Sequence, residues 1–260
     1  MTRAATPAAT GLTPHRAGPL YAGGSLALRA GRAYAARTMT GSLRAAFRRA
    51  VWAAPALADP APGRPLVVYA NHHVYHDSFL LWHLLTRGLG RPMVVWMQRW
   101  EQAPIFGPIG ALPFPDGDAR ARAATIRETA RRMTRDPRTA LYVYPEGTMH
   151  PPEDGLLPFK ADLPRVARLL PAEVAFVPVG IRSSWWGQSR PTAILGAGDA
   201  HGAPDGTEHA RLAAVLARLD TLRPADVASG NAIPVFDGRP GPDERWDLSP
   251  VAPLFRRITV

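Results

Sequence analysis

The 260-residue sequence contains no cysteine, and only one of its 31 basic residues, Lys160, is a lysine. Without cysteine the chain has no disulfide framework, no thiolate nucleophile and no thiolate ligand for a metal. The longest stretch without a charged residue, Gln102 to Pro115, is interrupted by prolines. A membrane-spanning helix needs about 20 apolar residues, so the sequence predicts no such helix. The first residues lack the apolar segment of a signal peptide, and we expect no secretion.

Basic residues outnumber acidic ones by 31 to 21, and the formal net charge is +10. An excess of this size favours anionic partners such as nucleic acid, anionic lipid, a phosphorylated cosubstrate or an acidic carrier protein. The preference for arginine over lysine is also what the compositional bias of a genome produces. The sequence has no basic run and no repeat of basic and aromatic residues, so we expect no nucleic-acid partner.

Apolar segments of strand length alternate with segments of helical periodicity. The predicted strands lie at residues 66–70, 93–97, 140–144, 174–179 and 193–195. The predicted helices of the same region lie at residues 78–86, 118–135, 163–170 and 207–222. This alternation predicts an α/β fold with a mostly parallel central sheet flanked by helices. From Ile233 onward the sequence is rich in Pro and Asp, and we expect irregular structure there.

The chain divides into a flexible lead-in, a basic amphipathic helical segment and a main domain, predicted at residues 1–35, 36–58 and 59–260. In the second part Leu43, Phe47 and Val51 recur every four residues beside several arginines, which predicts a short helix that ends before Pro55. Such a helix can lie on the surface of an anionic membrane. It can equally pack on the main domain with its arginines in water.

Polar residues follow two of the predicted strands, at the place where α/β proteins bind ligands. The first segment runs from Asn71 to Asp77 and contains His72, His73 and His76. A histidine paired with an aspartate can act as a general base, because the carboxylate fixes its tautomer and stabilises the imidazolium. The same side chains could ligate a metal, although their spacing differs from that of HExxH zinc sites. A base, a metal site and a structural role all remain open from these residues alone.

The second segment runs from Tyr144 to Met149, and the two segments together resemble the glycerolipid acyltransferase family, typified by 1-acylglycerol-3-phosphate acyltransferase. The family's Asn-His-x-x-x-x-Asp block corresponds to Asn71, His72 and Asp77. Its Phe-Pro-Glu-Gly-Thr-Arg block corresponds to Tyr144–Met149. Its Pro-x-x-Gly step, its Phe-Lys pair and its Val-Pro-Val strand correspond to residues 104–107, 159–160 and 177–179.

The resemblance implies transfer of a fatty acyl group from an acyl thioester to a hydroxyl of a lipid acceptor, as in phospholipid biosynthesis. The thioester would be acyl-CoA or acyl carrier protein, with no other cofactor and no metal. The resemblance makes His72 the general base and Asp77 the residue that orients it. It assigns the substrate site to Asn71, Glu146, Gly147, Thr148 and Lys160. Such substrates imply a peripheral protein on the cytoplasmic face of the membrane.

Two positions depart from the family. Its second block, Gly-x-Ile-Phe-Ile-Asp-Arg, has an arginine where this chain has Asp116, unless Arg120 or Arg122 replaces it, and its third block has an arginine where this chain has Met149. In the family these arginines are associated with the acceptor phosphate, which neither Asp nor Met can bind. The sequence therefore predicts that the acceptor is not a plain glycerol phosphate.

Two other classes of function stay open at this point. The histidines and the aspartate of the first segment could serve a metal-dependent hydrolase. The protein could also be a non-catalytic lipid-binding protein of the membrane surface that keeps an acyltransferase fold.

Overall fold

The computed structural model describes residues 26–160 and 162–245. In this part of the chain eight strands form one sheet. In chain order they are β1 (Arg49–Trp52), β2 (Leu66–Ala70), β3 (Met93–Met97), β4 (Ala111–Pro113), β5 (Ala140–Val143), β6 (Ala175–Ser184), β7 (Thr192–Ala197) and β8 (Ile233–Asp237). The helices are α1 (Leu26–Ala46), α2 (Asp77–His83), α3 (Ala119–Arg135), α4 (Asp162–Ala167), α5 (Glu208–Asp220), α6 (Pro224–Ala228) and α7 (Pro242–Arg245).

Five neighbouring strands of the sheet are parallel. β2 lies between β5 and β6, β3 pairs with the far side of β5, and β4 pairs with β3, all in the same direction. Beyond β6 the directions vary, because β7 is antiparallel to β6, β1 is parallel to β7, and β8 is antiparallel to β1. The strand order is β4-β3-β5-β2-β6-β7-β1-β8. The predicted α/β fold with a mostly parallel sheet is confirmed.

Strand β2 is buried along its whole length because helices cover both faces of the sheet. Leu66, Val68 and Ala70 belong to the apolar cluster that also contains Met39 and Leu43 of α1 and the buried apolar residues of α2. Val67 and Tyr69 belong to the cluster formed with α3, α4 and α5. A continuous apolar run without alternation is typical of a parallel strand covered on both sides. None of the helices in the described residues is long and apolar enough to cross a bilayer.

The N-terminal helix lies earlier in the chain than predicted. It spans Leu26–Ala46, so residues 26–35 are not a flexible lead-in, and part of the predicted helix is strand β1. The prediction was wrong because a spacing of four residues, as between Phe47 and Val51, fits alternate positions of a strand as well as one helical turn. Pairing of β1 with both β7 and β8 favours the strand. The rest of the predicted lead-in, residues 1–25, lies outside the described residues.

The prediction of irregular structure from Ile233 onward was also wrong for the residues that form β8. This strand lies at the edge of the sheet and pairs with β1 alone among the described strands. Its Pro234 argued against a strand in the sequence, but an edge strand needs backbone N–H donors on one side only. The other predicted strands match the structure closely, except that β6 continues five residues beyond its predicted end, to Ser184.

The parallel pairing of β2 and β5 brings the two polar segments together. Tyr69 lies opposite Val143 in the register of these strands. The segments that begin at Asn71 and Tyr144 therefore leave the sheet side by side at the same edge. Strand β6 lies on the other side of β2, and its extension beyond Val179 borders the same region.

Candidate active site

The His72 side chain faces the carboxylate of Asp77. Nδ1 of His72 lies 3.1 Å from Oδ2 of Asp77, and that oxygen also accepts from the backbone N–H groups of His73 and Val74 at 2.7 and 2.8 Å. Asp77 is only 1% exposed. Because an ionised carboxylate can only accept hydrogen bonds, the ring proton of His72 lies on Nδ1. Nε2 is then the basic atom of the ring.

The segment after β5 contacts the backbone and the ring face of His72. Its backbone N–H donates to Oε1 of Glu146 over 3.0 Å, and its carbonyl accepts from the backbone N–H of His150 over 3.2 Å. Its ring stacks on Tyr144 with a centroid distance of 4.0 Å and an interplanar angle of 10°. The Tyr144 hydroxyl lies 3.1 Å from that of Ser78. The imidazole is thus oriented by two segments, with one-fifth of its side-chain surface exposed.

Glu146, predicted to bind substrate, is turned into the protein. Its side chain has no exposed surface. Besides the bond from His72 to Oε1, Oε2 accepts from the backbone N–H of Leu157 at 2.8 Å and lies 2.6 Å from Nε2 of His150. Both oxygens therefore have protein donors, and the contacts give Glu146 a role in positioning His72.

Asn71, also predicted to bind substrate, is fully buried. Its Nδ2 donates to the carbonyl of Ile181 at 2.9 Å, and its Oδ1 accepts from the N–H of Ile181 at 2.8 Å. The side chain thereby joins the first residue after β2 to the extension of β6. Its role is therefore structural, because both ends of its amide are bonded to the backbone.

The other predicted substrate residues, Gly147, Thr148 and Lys160, are exposed. Gly147 has a φ of 70°, in the left-handed region that glycine adopts without strain. A side chain at that position would collide with the Lys160 side chain. The Lys160 ammonium donates to the Gly147 carbonyl over 3.2 Å, which leaves further N–H donors for an anion. These residues form a surface beside His72 that a ligand can reach.

The two further histidines of the first segment have separate protein partners. Nε2 of His76 lies 3.1 Å from the hydroxyl of Ser42 on α1. His73 donates from Nδ1 to the His150 carbonyl and accepts from Arg182 at Nε2, both over 3.3 Å. Burial lowers the pKa of His73 and of His76 below the usual value for histidine. Among the residues that the structure describes, no three His, Asp or Glu side chains are grouped so as to hold a metal.

The two departures from the resemblance follow β4 and β5. Asp116 pairs with Arg122, whose guanidinium also donates to the Pro115 carbonyl over 2.7 Å and lies 4.8 Å from the ring centre of Phe114. Arg122, one of the two arginines that the sequence offered in place of the family's arginine, thus has its cation beside Asp116. Its N–H groups are, however, partly engaged by the protein. Met149 is 53% exposed and offers no hydrogen-bond donor.

A family model described as Acyltransferase matches residues 53–182, which is half of the chain. The chain belongs to the acyltransferase family. The matched range contains β2, β5 and both polar segments. The fold of this acyltransferase is similar to the crystal structure of the 1-acyl-sn-glycerophosphate (LPA) acyltransferase PlsC from Thermotoga maritima. The two are 16% identical, the TM-score is 0.48, and the match covers 76% of this chain and 80% of the other. No curated protein matches the chain in sequence.

Three residues of the candidate site were not predicted as such from the sequence: Tyr144 as the stacking partner of His72, and His150 and Arg182 as contacts of His73. Burial raises the pKa of the Tyr144 phenol well above its usual value, so the hydroxyl stays neutral. In the sequence, His150 stands four residues after Glu146, and this spacing could have indicated that the two side chains form a pair. Arg182 lies beyond the predicted end of β6 and pairs with Asp220 at 2.7 Å.

We expect Asn71→Leu to lower the free energy of unfolding by about 2–4 kcal/mol. The substitution leaves the buried N–H and carbonyl of Ile181 without their partners, and each unsatisfied group costs about 1–3 kcal/mol. Chemical denaturation measures the difference. The control is Gln98→Leu, which replaces an exposed amide and should change stability by less than about 0.5 kcal/mol. Equal losses in the two variants would contradict a structural role for Asn71.

Proposed function

We propose that this acyltransferase moves a fatty acyl group from an acyl thioester, acyl-CoA or acyl carrier protein, to a hydroxyl of a lipid acceptor. The observation that carries the proposal is the pair of His72 and Asp77, whose Nδ1–Oδ2 contact leaves Nε2 as the basic atom. The chain has no cysteine, and the reaction needs no nucleophile from the protein because the acceptor supplies its own hydroxyl.

His72 acts as the general base in the proposed reaction. Its Nε2 takes the proton of the acceptor hydroxyl while the hydroxyl oxygen attacks the thioester carbonyl. The new C–O bond forms, the C–S bond breaks, and the imidazolium returns its proton to the leaving thiolate. The Asp77 carboxylate stabilises the imidazolium through the hydrogen bond at Nδ1. Tyr144 and Glu146 hold the ring and the backbone of His72 in place during this exchange.

Substitution of the base tests the mechanism. We expect His72→Ala to lower kcat by about 10³-fold, within the range known for general acid–base catalysis, and Asp77→Asn to lower it by about 10²-fold or more. Formation of the acylated lipid is measured by mass spectrometry with a labelled acyl donor. His209→Gln, a change at an exposed histidine on α5, should keep the wild-type rate. Acyl transfer by His72→Ala at the wild-type rate would falsify the role of His72.

We also propose that the acceptor is a lipid other than a plain glycerol phosphate, such as a lysophospholipid with a masked phosphate, a glycolipid or a lipid alcohol. Met149 cannot bind a phosphate monoester, and the Asp116 carboxylate would repel it. Arg122 already donates to Asp116 and to the Pro115 carbonyl, so only part of its guanidinium is available to a phosphate. Lys160 remains exposed beside Gly147 and supplies a single point charge rather than a bidentate clamp.

An acceptor panel tests this proposal. We expect kcat/KM for a masked-phosphate or phosphate-free acceptor to exceed that for lysophosphatidate at least about tenfold. The reason is that a phosphate left without one charged hydrogen bond loses about that factor in binding. Met149→Arg should shift the preference towards lysophosphatidate. Leu169→Arg adds the same charge at an exposed position that precedes β6 and should leave the preference unchanged. Efficient turnover of lysophosphatidate alone would rule the proposal out.

The membrane surface is the proposed location of the protein, at the cytoplasmic face. Large apolar side chains are exposed after three neighbouring strands of the sheet: Tyr75 after β2, Met149 after β5 and Trp185 after β6. Their exposed fractions are 62%, 53% and 60%. The three strands are parallel, so these side chains lie at the edge that carries His72. Contact of this edge with lipid would let the acceptor reach His72 without leaving the bilayer.

Vesicle sedimentation tests the location. We expect the double variant Tyr75→Ser and Trp185→Ser to bind anionic phosphatidylglycerol vesicles at least about tenfold more weakly than the wild type, because burial of each aromatic side chain is worth about 1.5–3 kcal/mol. The matched control is Leu169→Ser, which is 59% exposed and lies at the opposite edge of the sheet. Equal binding by the double variant and the control would argue against this contact surface.

A further inference from the structure

The His150 ring is buried between two oxygen acceptors. Its Nε2 lies 2.6 Å from Oε2 of Glu146, and its Nδ1 lies 3.0 Å from the carbonyl of Pro151. Only 6% of its side chain is exposed, and the Glu146 side chain has no exposed surface. A carbonyl oxygen cannot donate, so the proton between His150 and Pro151 belongs to Nδ1.

The contacts of Glu146 favour a donor at Nε2 of His150. Oε1 accepts from the N–H of His72, and Oε2 accepts from the N–H of Leu157. An ionised carboxylate can accept all of these bonds. Nε2 of His150 is then the donor across the 2.6 Å contact. An imidazolium, with a proton on each nitrogen, satisfies both contacts of the His150 ring.

The neighbouring charges fit this state. The ring of His73 meets the ring of His150 edge-on, with centroids 4.7 Å apart. Burial lowers the pKa of His73, and the charges of His150 and Arg182 lower it further, although its bond to the His150 carbonyl acts in the other direction. His73 is therefore neutral beside His150. Arg182 is paired with Asp220, and Asp77 is occupied by the His72 segment.

We propose that His150 is a positioning residue: a buried imidazolium that holds the Glu146 carboxylate and, through it, the backbone of His72. Glu146 binds the His72 N–H, and the backbone N–H of His150 binds the His72 carbonyl. The peptide groups on both sides of the base are thus fixed by one buried ion pair. The expected effect on rate rests on the function proposed above, whereas the protonation state does not.

Nitrogen NMR of the full chain with ¹⁵N-labelled histidine tests the protonation state directly. At neutral pH we expect both ring nitrogens of His150 to carry protons, with the resonances assigned by their loss in His150→Gln. Glu146→Gln removes the negative partner and should return the ring to a singly protonated form. A singly protonated His150 ring in the wild-type protein would overturn the proposal, whether or not acyl transfer is observed.

The kinetic test separates positioning from substrate contact. His150→Leu should lower kcat about 10- to 100-fold, the effect of a small misplacement of a catalytic group, with the KM of donor and acceptor within about twofold of the wild type. His150→Gln, which can still donate to Glu146, should recover most of the loss. His83→Leu replaces a half-buried histidine at the far end of α2 and should keep the wild-type kcat.

Three outcomes decide the kinetic part. An unchanged kcat in folded His150→Leu, or a rise of KM without a loss of kcat, would refute the positioning role. Denaturation curves show whether His150→Leu is folded. If it is not, the NMR result for the wild-type protein decides the proposal. Absence of acyl transfer in the wild type would count against the proposed function alone, because the imidazolium would still be visible in the spectrum.

Discussion

One carboxylate oxygen, Oδ2 of Asp77, accepts hydrogen bonds from the His72 ring and from the backbone of His73 and Val74. These bonds wrap the segment between β2 and α2 around a single buried atom. They also decide which nitrogen of His72 carries the proton, since the carboxylate has no proton to give. The same contact therefore sets the local backbone, the start of α2 and the tautomer of His72, the proposed base.

The parallel sheet supplies the second support of His72. Because β2 and β5 are adjacent and parallel, Glu146 reaches the His72 N–H from the neighbouring strand end. Asp77 holds the ring, whereas Glu146 holds the backbone, and each carboxylate is buried with three hydrogen-bonding partners. If His72 is the base, as proposed, a side chain fixed in this way loses little orientational freedom when it meets a substrate, which is the condition for efficient proton transfer. The exposed Gly147, Thr148 and Lys160 lie beyond these supports, where a substrate can bind.

The sequence predicted those parts of the structure that depend on local pattern. Strands β2 and β3 were predicted with their observed bounds, because a strand covered on both faces is a continuous apolar run. Strands β1 and β8 were missed because long-range pairing decides them: β1 has a spacing that also fits a helix, and β8 contains Pro234. The pair of His72 and Asp77 could be predicted because its members are close in sequence and match the acyltransferase blocks.

The direction of a side chain was not predictable at the site. Asn71 and Glu146 match family positions, yet the structure turns both towards the backbone of neighbouring segments. His150 becomes informative only when both oxygen acceptors around its ring are known. The protonation state of His72 is the most direct test of the constraint imposed by Asp77. In the ¹⁵N spectrum of the wild-type protein, recorded where the His72 ring carries a single proton, we expect that proton on Nδ1, with a bare Nε2. A proton on Nε2 and a bare Nδ1 would contradict this assignment of the base.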